Sequence, residues 1–125
     1  MTSIYLYFNA AIYLLFSIWC SVAASSTAQA LGFAQLTRSG AAEYLTVYGG
    51  LQLGLAIIFG WTAWSGELRF GLIVALALYV PIVLWRIAGV SMNWPVANST
   101  LYVAGLELAM LVAAVLLWMN GARSR

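Results

Sequence analysis

The chain has 125 residues, of which 65% are hydrophobic and 6% are charged, with a net charge of +2. A soluble domain carries about 25% charged residues, so this composition excludes an ordinary water-soluble domain, and the small charge gives no indication of nucleic-acid binding. With one cysteine and no histidine, an intramolecular disulfide and the usual zinc, haem and copper sites are also excluded. We therefore expect neither a metal nor a cofactor.

Four apolar segments follow in chain order, at about 4–25, 46–64, 68–90 and 100–119. Each is close to the roughly 20 helical residues that cross a hydrocarbon core. Since lipid offers no partner for an open sheet edge, we predict an all-α integral membrane bundle of four transmembrane helices, forming one domain over 1–125. The first segment is similar to a signal peptide, but it lacks a basic start and is longer than usual, so we interpret it as the first membrane helix.

The connections and the arginines define a topology. Only the first connection is long enough for structure of its own, and we expect a short interfacial helix at about 28–36. In a four-span protein the N-terminus, the second turn and the C-terminus lie on the same side of the membrane. That side carries Arg69, Arg123 and Arg125, whereas the loops of the opposite side carry only Arg38. Because arginine is enriched on the cytoplasmic side, both termini are predicted to lie inside.

Two charged residues stand inside predicted membrane helices. Arg86 lies near the end of the third helix, and Glu107 lies inside the start of the fourth. At 1.5 Å per residue their backbones would be roughly 6 Å and 10 Å below the same surface. A charge at mid-span costs about 2.5–3.5 kcal/mol and usually faces a partner in the bundle, so we predict an Arg86–Glu107 pair.

The second helix has two faces at 100° per residue. Tyr44, Tyr48 and Gln52 form one stripe, which would face the predicted ion pair, with Gln52 near the depth of Glu107. Gly50 and Gly54 form a GxxxG pair on the opposite side, which predicts close helix packing or a homodimer interface.

Three further residues complete the predicted set. Glu43 is expected at the mouth of the second helix, where water reaches it. Gly105 begins a row of small residues on the fourth helix, which predicts packing. Pro81 lies inside the third helix, where its ring and missing N–H predict a kink, and this kink would either open a cavity beside Arg86 or let the bundle pack.

The chemistry of these residues leaves two interpretations open. The Arg86–Glu107 pair is either a structural contact that fixes helix register or the centre of a site for a ligand, proton or substrate. Tyr48 and Gln52 likewise either hydrogen-bond between helices or contact a ligand.

Three stretches carry a resemblance to a known family: "EYLTVYGGLQLGLAI", "WRIAGV" and "GLELAMLVAAVLLW". Together they resemble the DUF4345 family of small bacterial four-helix membrane proteins along nearly the whole chain, and the bundle is similar in outline to DoxX-like proteins. The resemblance implies a multi-pass protein of the bacterial inner membrane with a site built from Glu43, Tyr48, Arg86 and Glu107. It implies no particular activity.

Three functions follow as hypotheses. In the first, the bundle binds a small or lipidic molecule, or joins a larger membrane complex as an accessory subunit, with Arg86 orienting an anionic or carbonyl group and Glu107 balancing its charge. In the second, a homodimer transports a substrate with Glu107 as a proton-linked acid. A membrane enzyme comes last, because the sequence has no histidine and no nucleophile with a nearby base.

Overall fold

The computed structural model describes residues 1–123, with side chains as far as Gly121. Over these residues it contains helices and no strands, which confirms the predicted all-α class. The helices are α1 at Thr2–Val22, α2 at Ala24–Ala30, α3 at Arg38–Ser65, α4 at Leu68–Met92 and α5 at Asn98–Arg123. All except α2 are long and apolar enough to cross a membrane. Arg125 and the side chain of Arg123, on which the predicted orientation partly depends, lie outside the described part.

The four long helices run alternately up and down, which gives the bundle two ends. The N-terminal end contains the start of α1 and the tight turn at Gly66, whose φ of +80° is the left-handed conformation that glycine adopts readily. The loop end contains residues 23–37 and the connection at residues 93–97. Two residues, Gly66 and Glu67, connect the second and third long helices.

The first connection differs most from its prediction. The short helix is α2, which ends at Ala30 instead of continuing to about residue 36. Gly32 stops it with a φ of +96°, and its N–H bonds to Gln29 while the N–H of Phe33 bonds back to Ala28. This is the Schellman pattern of helix termination, and it turns the chain so that Phe33 points back over the bundle.

The long helices also begin and end away from their predicted boundaries. α3 starts at Arg38 rather than at about residue 46, because the Thr37 side chain caps it by accepting a hydrogen bond from the Gly40 N–H at 3.0 Å. α1 ends at Val22, where the chain bends at Ala23, rather than at about residue 25. Hydropathy could not place these boundaries, because the polar cap at Thr37 precedes the apolar stretch of α3 and the bend at Ala23 lies within that of α1.

The bundle is made of two helix pairs. α1 packs along the length of α3, and α4 packs along α5. The pairs meet mainly toward the N-terminal end, where one buried cluster draws residues from all four long helices, including Leu6, Phe59, Ala75 and Met110. A second cluster, Cys20, Ala28 and Tyr44, lies at the loop end and involves only α1, α2 and α3. Between the clusters the pairs stand apart.

Two glycines that the sequence did not single out mediate the close contacts. A Cβ at Gly71 would lie 2.6 Å from Leu6 and 2.8 Å from Thr62, both fully buried, so α4 reaches α1 and α3 only with glycine there. A Cβ at Gly49 would lie 2.7 Å from the Ser21 hydroxyl of α1. Close helix approach at small residues is typical of membrane bundles.

The glycines predicted to pack do not do so within the chain. A Cβ at Gly50, Gly54 or Gly105 would have no neighbouring atom within 4 Å. The predicted packing role inside the bundle is therefore wrong for these three. Their spacing matches the motif, but helix rotation places them away from the neighbouring helices, and a role between two copies of the chain stays a prediction.

The middle of α3 departs from α-helical geometry. Residues Leu45–Leu51 are π-helical, and the α-helix resumes at Gln52. Inside this stretch the Gly49 carbonyl accepts a 2.8 Å hydrogen bond from the Ser17 hydroxyl of α1. π-helical turns often lie at functional sites, and this one carries Tyr48.

Pro81 lies within α4, which continues as one helix from Leu68 to Met92. Its ring is exposed on the outside of the bundle. The next residue, Ile82, points the other way and lines the space between the helix pairs.

Candidate functional site

A cavity of about 380 Å³ lies between the two helix pairs on the loop-end side of the shared core. We call it the chamber. One wall comes from α1 and α3 and includes Tyr13, Tyr48 and Gln52, and the other comes from α4 and α5 and includes Arg86 and Glu107. Its apolar lining includes Ile12, Phe16, Ile82, Val103, Leu106 and Met110. Mostly apolar walls with a few convergent polar groups are typical of small-molecule sites.

The predicted ion pair is present at the chamber wall. Nε of Arg86 donates to Oε2 of Glu107 at 2.8 Å, and Nη2 donates to Oε1 at 2.6 Å. This two-pronged geometry is the strongest arrangement of an arginine and a carboxylate. The Arg86 side chain keeps 34% of its surface accessible and the Glu107 side chain 16%. The pair thus joins α4 to α5 and still presents polar atoms to the chamber.

The depth of the pair places it within the apolar span. Arg86 lies six residues before the end of α4, and Glu107 lies nine residues after the start of α5. At 1.5 Å per residue, these positions are about 9 Å and 14 Å from their helix ends. Arg86 and Glu107 are also the only ionisable Arg or Glu side chains of the described residues that line the chamber.

Two neutral polar side chains face the pair from α3. The Tyr48 hydroxyl and the Gln52 amide line the chamber, and within the described residues neither makes a hydrogen bond. A hydroxyl and an amide together offer three donor hydrogens and several acceptor lone pairs. They are therefore available to a molecule inside the cavity.

Aromatic side chains lie over the loop end of the chamber. The Tyr44 and Tyr48 rings stack with centroids 4.5 Å apart, and the Phe33 ring meets them edge-on at 6.2 Å and 6.5 Å. The Tyr44 ring is held in place because its hydroxyl donates to the Thr27 hydroxyl of α2 at 2.8 Å. Phe33 and Tyr48 of this stack line the chamber toward the loop end, and Tyr44 does not.

A second cavity, of about 500 Å³, runs along the side of the bundle between the π-helical part of α3 and α4. We call it the lateral groove. It shares Tyr48, Gln52, Ile82, Arg86 and Glu107 with the chamber, and its outer residues include the exposed Trp85. The four shared polar residues, hereafter the polar waist, thus stand where the chamber and the groove meet.

The structure brings together four of the five residues predicted for the polar cluster. Arg86, Glu107, Tyr48 and Gln52 form the polar waist, whereas Glu43 is exposed and lines neither cavity. Tyr44, predicted on the same stripe, turns instead toward Thr27. The π-helical stretch explains the difference, because a wider turn rotates the residues before it relative to those after it.

A buried polar network beneath the chamber was not predicted from the sequence. The Tyr79 hydroxyl of α4 donates to Oδ1 of Asn9 at 2.7 Å, and Nδ2 of Asn9 donates to the Tyr5 carbonyl at 2.8 Å. The Tyr5 hydroxyl then donates to the Met110 carbonyl of α5 at 3.0 Å. An asparagine in a membrane helix was the available signal, since such a residue needs a partner, but the sequence did not indicate which one.

Comparison of the chain with protein-family models, with curated proteins and with solved structures gives no match. The interpretation of the site therefore depends on its own geometry. That geometry defines a class of protein: a four-helix chain of membrane type with a partly polar cavity between two helix pairs.

Proposed function

We propose that this protein is a membrane-embedded binding protein that holds one small amphipathic molecule in the chamber. The observation that carries the proposal is the polar waist, where an ion pair, a hydroxyl and an amide converge on a cavity with apolar walls. A purely structural ion pair would need no such cavity, and dense packing is the normal state of a protein interior.

The helix arrangement supports the same proposal. The two pairs are held together toward the N-terminal end by the shared core and by the Asn9–Tyr79 hydrogen bond. Their separation at the loop end therefore does not compromise the whole bundle. Because the helix pairs are held together at the N-terminal end and separated toward the loop end, the cavity can accept a ligand without unfolding of the bundle.

The membrane in which the protein lies and its orientation there are also proposed. We propose that the chain lies in the inner membrane of a bacterium with both termini in the cytoplasm, so that the chamber faces the outer leaflet. The arginine distribution along the sequence supports this orientation. We also propose membership of the DUF4345 family, supported by the three resembling stretches, and an accessory role beside a larger complex remains compatible with ligand binding.

The test is to fill the chamber. The protein is purified in nanodiscs made from a total lipid extract that keeps its neutral lipids, and bound small molecules are counted by native mass spectrometry. We expect one retained lipid-sized molecule in the wild type and loss of it in Val103→Phe, whose ring would occupy the chamber. Val112→Phe on the exposed side of α5 is the matched control and should retain it. Equal retention in both variants would overturn the proposal.

A second candidate function is proton-coupled transport by a homodimer. One observation favours it: Glu107 lines both the chamber and the lateral groove, so a carboxyl group stands between two spaces. Transport into proteoliposomes tests this function. In a transporter, Glu107→Gln would abolish the substrate flux that a pH gradient drives. In a binding protein, the same change would leave the background flux unchanged.

A further inference from the structure

The polar waist carries no net charge, and this property selects among possible ligands. Arg86 and Glu107 neutralise each other through two hydrogen bonds, and no other arginine or glutamate of the described residues lines the chamber or the lateral groove. An anionic head group would have to draw Arg86 away and leave Glu107 facing it. A cationic head group would do the reverse, and an unpaired charge in an apolar surrounding is costly.

The donors and acceptors left over suit a neutral oxygen-bearing group. The pair uses one N–H of Nε and one of Nη2, so three of the five guanidinium hydrogens of Arg86 remain. The Tyr48 hydroxyl and the Gln52 amide add neutral donors and acceptors. Hydroxyl and ester carbonyl groups match this set without disturbing the ion pair.

The lateral groove indicates where the rest of the ligand lies. Phe33 and Tyr48 of the aromatic stack line the chamber toward its loop end. The groove instead opens on the outer side of the bundle at Val47 and Trp85, which are 43% and 77% exposed, and its other residues beyond the waist lie toward the loop end. Apolar chains that leave the waist sideways through this opening would lie among the acyl chains of the bilayer.

We propose that the ligand is a neutral amphiphile, such as a diacylglycerol, that enters from the bilayer through the lateral groove. Its hydroxyl or ester head group hydrogen-bonds to the polar waist, and its acyl chains remain in the groove. This inference rests on the proposed binding function and adds the chemical class of the ligand. Phospholipids with charged heads are the competing class.

The experiment compares two lipids with the same acyl chains. Nanodiscs of phosphatidylcholine contain equal small fractions of dioleoylglycerol and dioleoyl phosphatidic acid, and the lipid retained by the protein is identified by native mass spectrometry. We expect wild-type protein to retain dioleoylglycerol about tenfold over phosphatidic acid, a ratio equivalent to about 1.4 kcal/mol. Preference for phosphatidic acid would overturn the inference.

Variants make the charge argument specific. Glu107→Gln leaves Arg86 unpaired, so the preference should shift toward phosphatidic acid, and Arg86→Met with Glu107→Gln should return it toward dioleoylglycerol. Glu67→Gln, at the N-terminal end and outside both cavities, should leave the ratio unchanged. An unchanged ratio in Glu107→Gln would also contradict the inference.

The binding function and the neutral class of the ligand can be refuted separately. If wild-type protein retains phosphatidic acid and Val103→Phe removes it, the chamber binds a ligand but the neutral class is wrong. If Val103→Phe alters the retention of neither lipid, the proposed binding function itself is wrong.

Discussion

The Tyr79 hydroxyl donates a 2.7 Å hydrogen bond to Oδ1 of Asn9, and this contact joins the α1–α3 pair to the α4–α5 pair directly beneath the chamber. Asn9 is fully buried, and its amide nitrogen is occupied by the Tyr5 carbonyl. Both polar atoms of the Asn9 side chain therefore have a hydrogen-bond partner. The floor of the chamber is fixed by a neutral hydrogen bond, whereas the wall made of α4 and α5 is joined by the Arg86–Glu107 ion pair.

Removing the Tyr79 hydroxyl should loosen that floor. In Tyr79→Phe the ring stays, but Oδ1 of Asn9 loses its donor in an apolar surrounding. Interhelical hydrogen bonds in membranes average about 0.6 kcal/mol and reach about 1.7 kcal/mol. Since Asn9 is fully buried, we expect a loss near the upper value, about 1.5 kcal/mol in the free energy of unfolding, measured by steric trapping in bilayers.

Tyr7→Phe provides the matched control for this change. Tyr7 is on the same helix as Asn9 but is 48% exposed, so the same chemical change should leave the free energy of unfolding within about 0.5 kcal/mol of wild type. Equal losses in the two variants would mean that the Tyr79–Asn9 contact has no stabilising role.

The ion pair should show strong coupling between its partners. Arg86→Met and Glu107→Gln each leave one charge unpaired, whereas the double variant leaves none. A fully buried pair loses about 3–5 kcal/mol when one partner is removed. Because Arg86 is 34% accessible, we expect a coupling energy of roughly 2 kcal/mol, measured by a double-mutant cycle of unfolding free energies.

The exposed pair Arg38 and Glu43 gives the reference cycle. Both residues are on the surface of the first turns of α3, and they form no salt bridge with each other in the described structure. Arg38→Met and Glu43→Gln should therefore be additive. A cycle at Arg86 and Glu107 that is equally additive would show that the pair contributes no net interaction.

Gly71 should be the glycine least tolerant of substitution. In Gly71→Ala the new methyl would lie within 3 Å of both Leu6 and Thr62, and neither neighbour has free space. Overpacking of this kind costs about 1–3 kcal/mol. Thermal unfolding in detergent should show a clear loss of stability.

Gly105→Ala is the control for this substitution. Its Cβ would meet nothing within 4 Å, and alanine is the better helix former, so we expect no loss of stability. A larger loss in Gly105→Ala than in Gly71→Ala would contradict the helix packing described here.

The sequence predicts the features that depend on the length of the apolar segments and on the small number of charged side chains. Apolar length alone indicates four long helices, because few other structures suit a bilayer. The Arg86–Glu107 pair is predictable because the chain has only eight charged side chains, five basic and three acidic. With so few candidates at matching depth, each charge has almost no alternative partner.

Features that depend on helix rotation could not be predicted in this way. Gly50 and Gly54 match a packing motif, yet the contact is made at Gly71, because only the assembled bundle decides which side of a helix meets a neighbour. The π-helical Leu45–Leu51 stretch is another example, since the sequence gives no signal of a wider turn. Of the stripe predicted at α-helical spacing, Tyr44 and Tyr48 still stack, but only Tyr48 and Gln52 line the chamber.

Cys20 should report on the stability of the loop end. It is the one cysteine of the chain, it is fully buried, and its sulfur lies 3.5 Å from the Tyr44 hydroxyl. That hydroxyl also fixes α2 through Thr27. In Tyr44→Phe the hydrogen bond is lost, so α2 should separate from α3 more often and expose the thiol. A loss of about 1 kcal/mol corresponds to roughly fivefold faster labelling by a maleimide.

The labelling rate is normalised to protein unfolded in detergent, where the thiol reacts freely. Tyr102→Phe is the control, because Tyr102 on α5 is 77% exposed and its hydroxyl makes no hydrogen bond among the described residues. Its labelling rate should equal that of wild type. Two results would contradict this prediction: a wild-type thiol that already reacts as fast as in unfolded protein, or equal labelling rates in the two variants. Either result would mean that the Tyr44–Thr27 contact does not hold α2 in place.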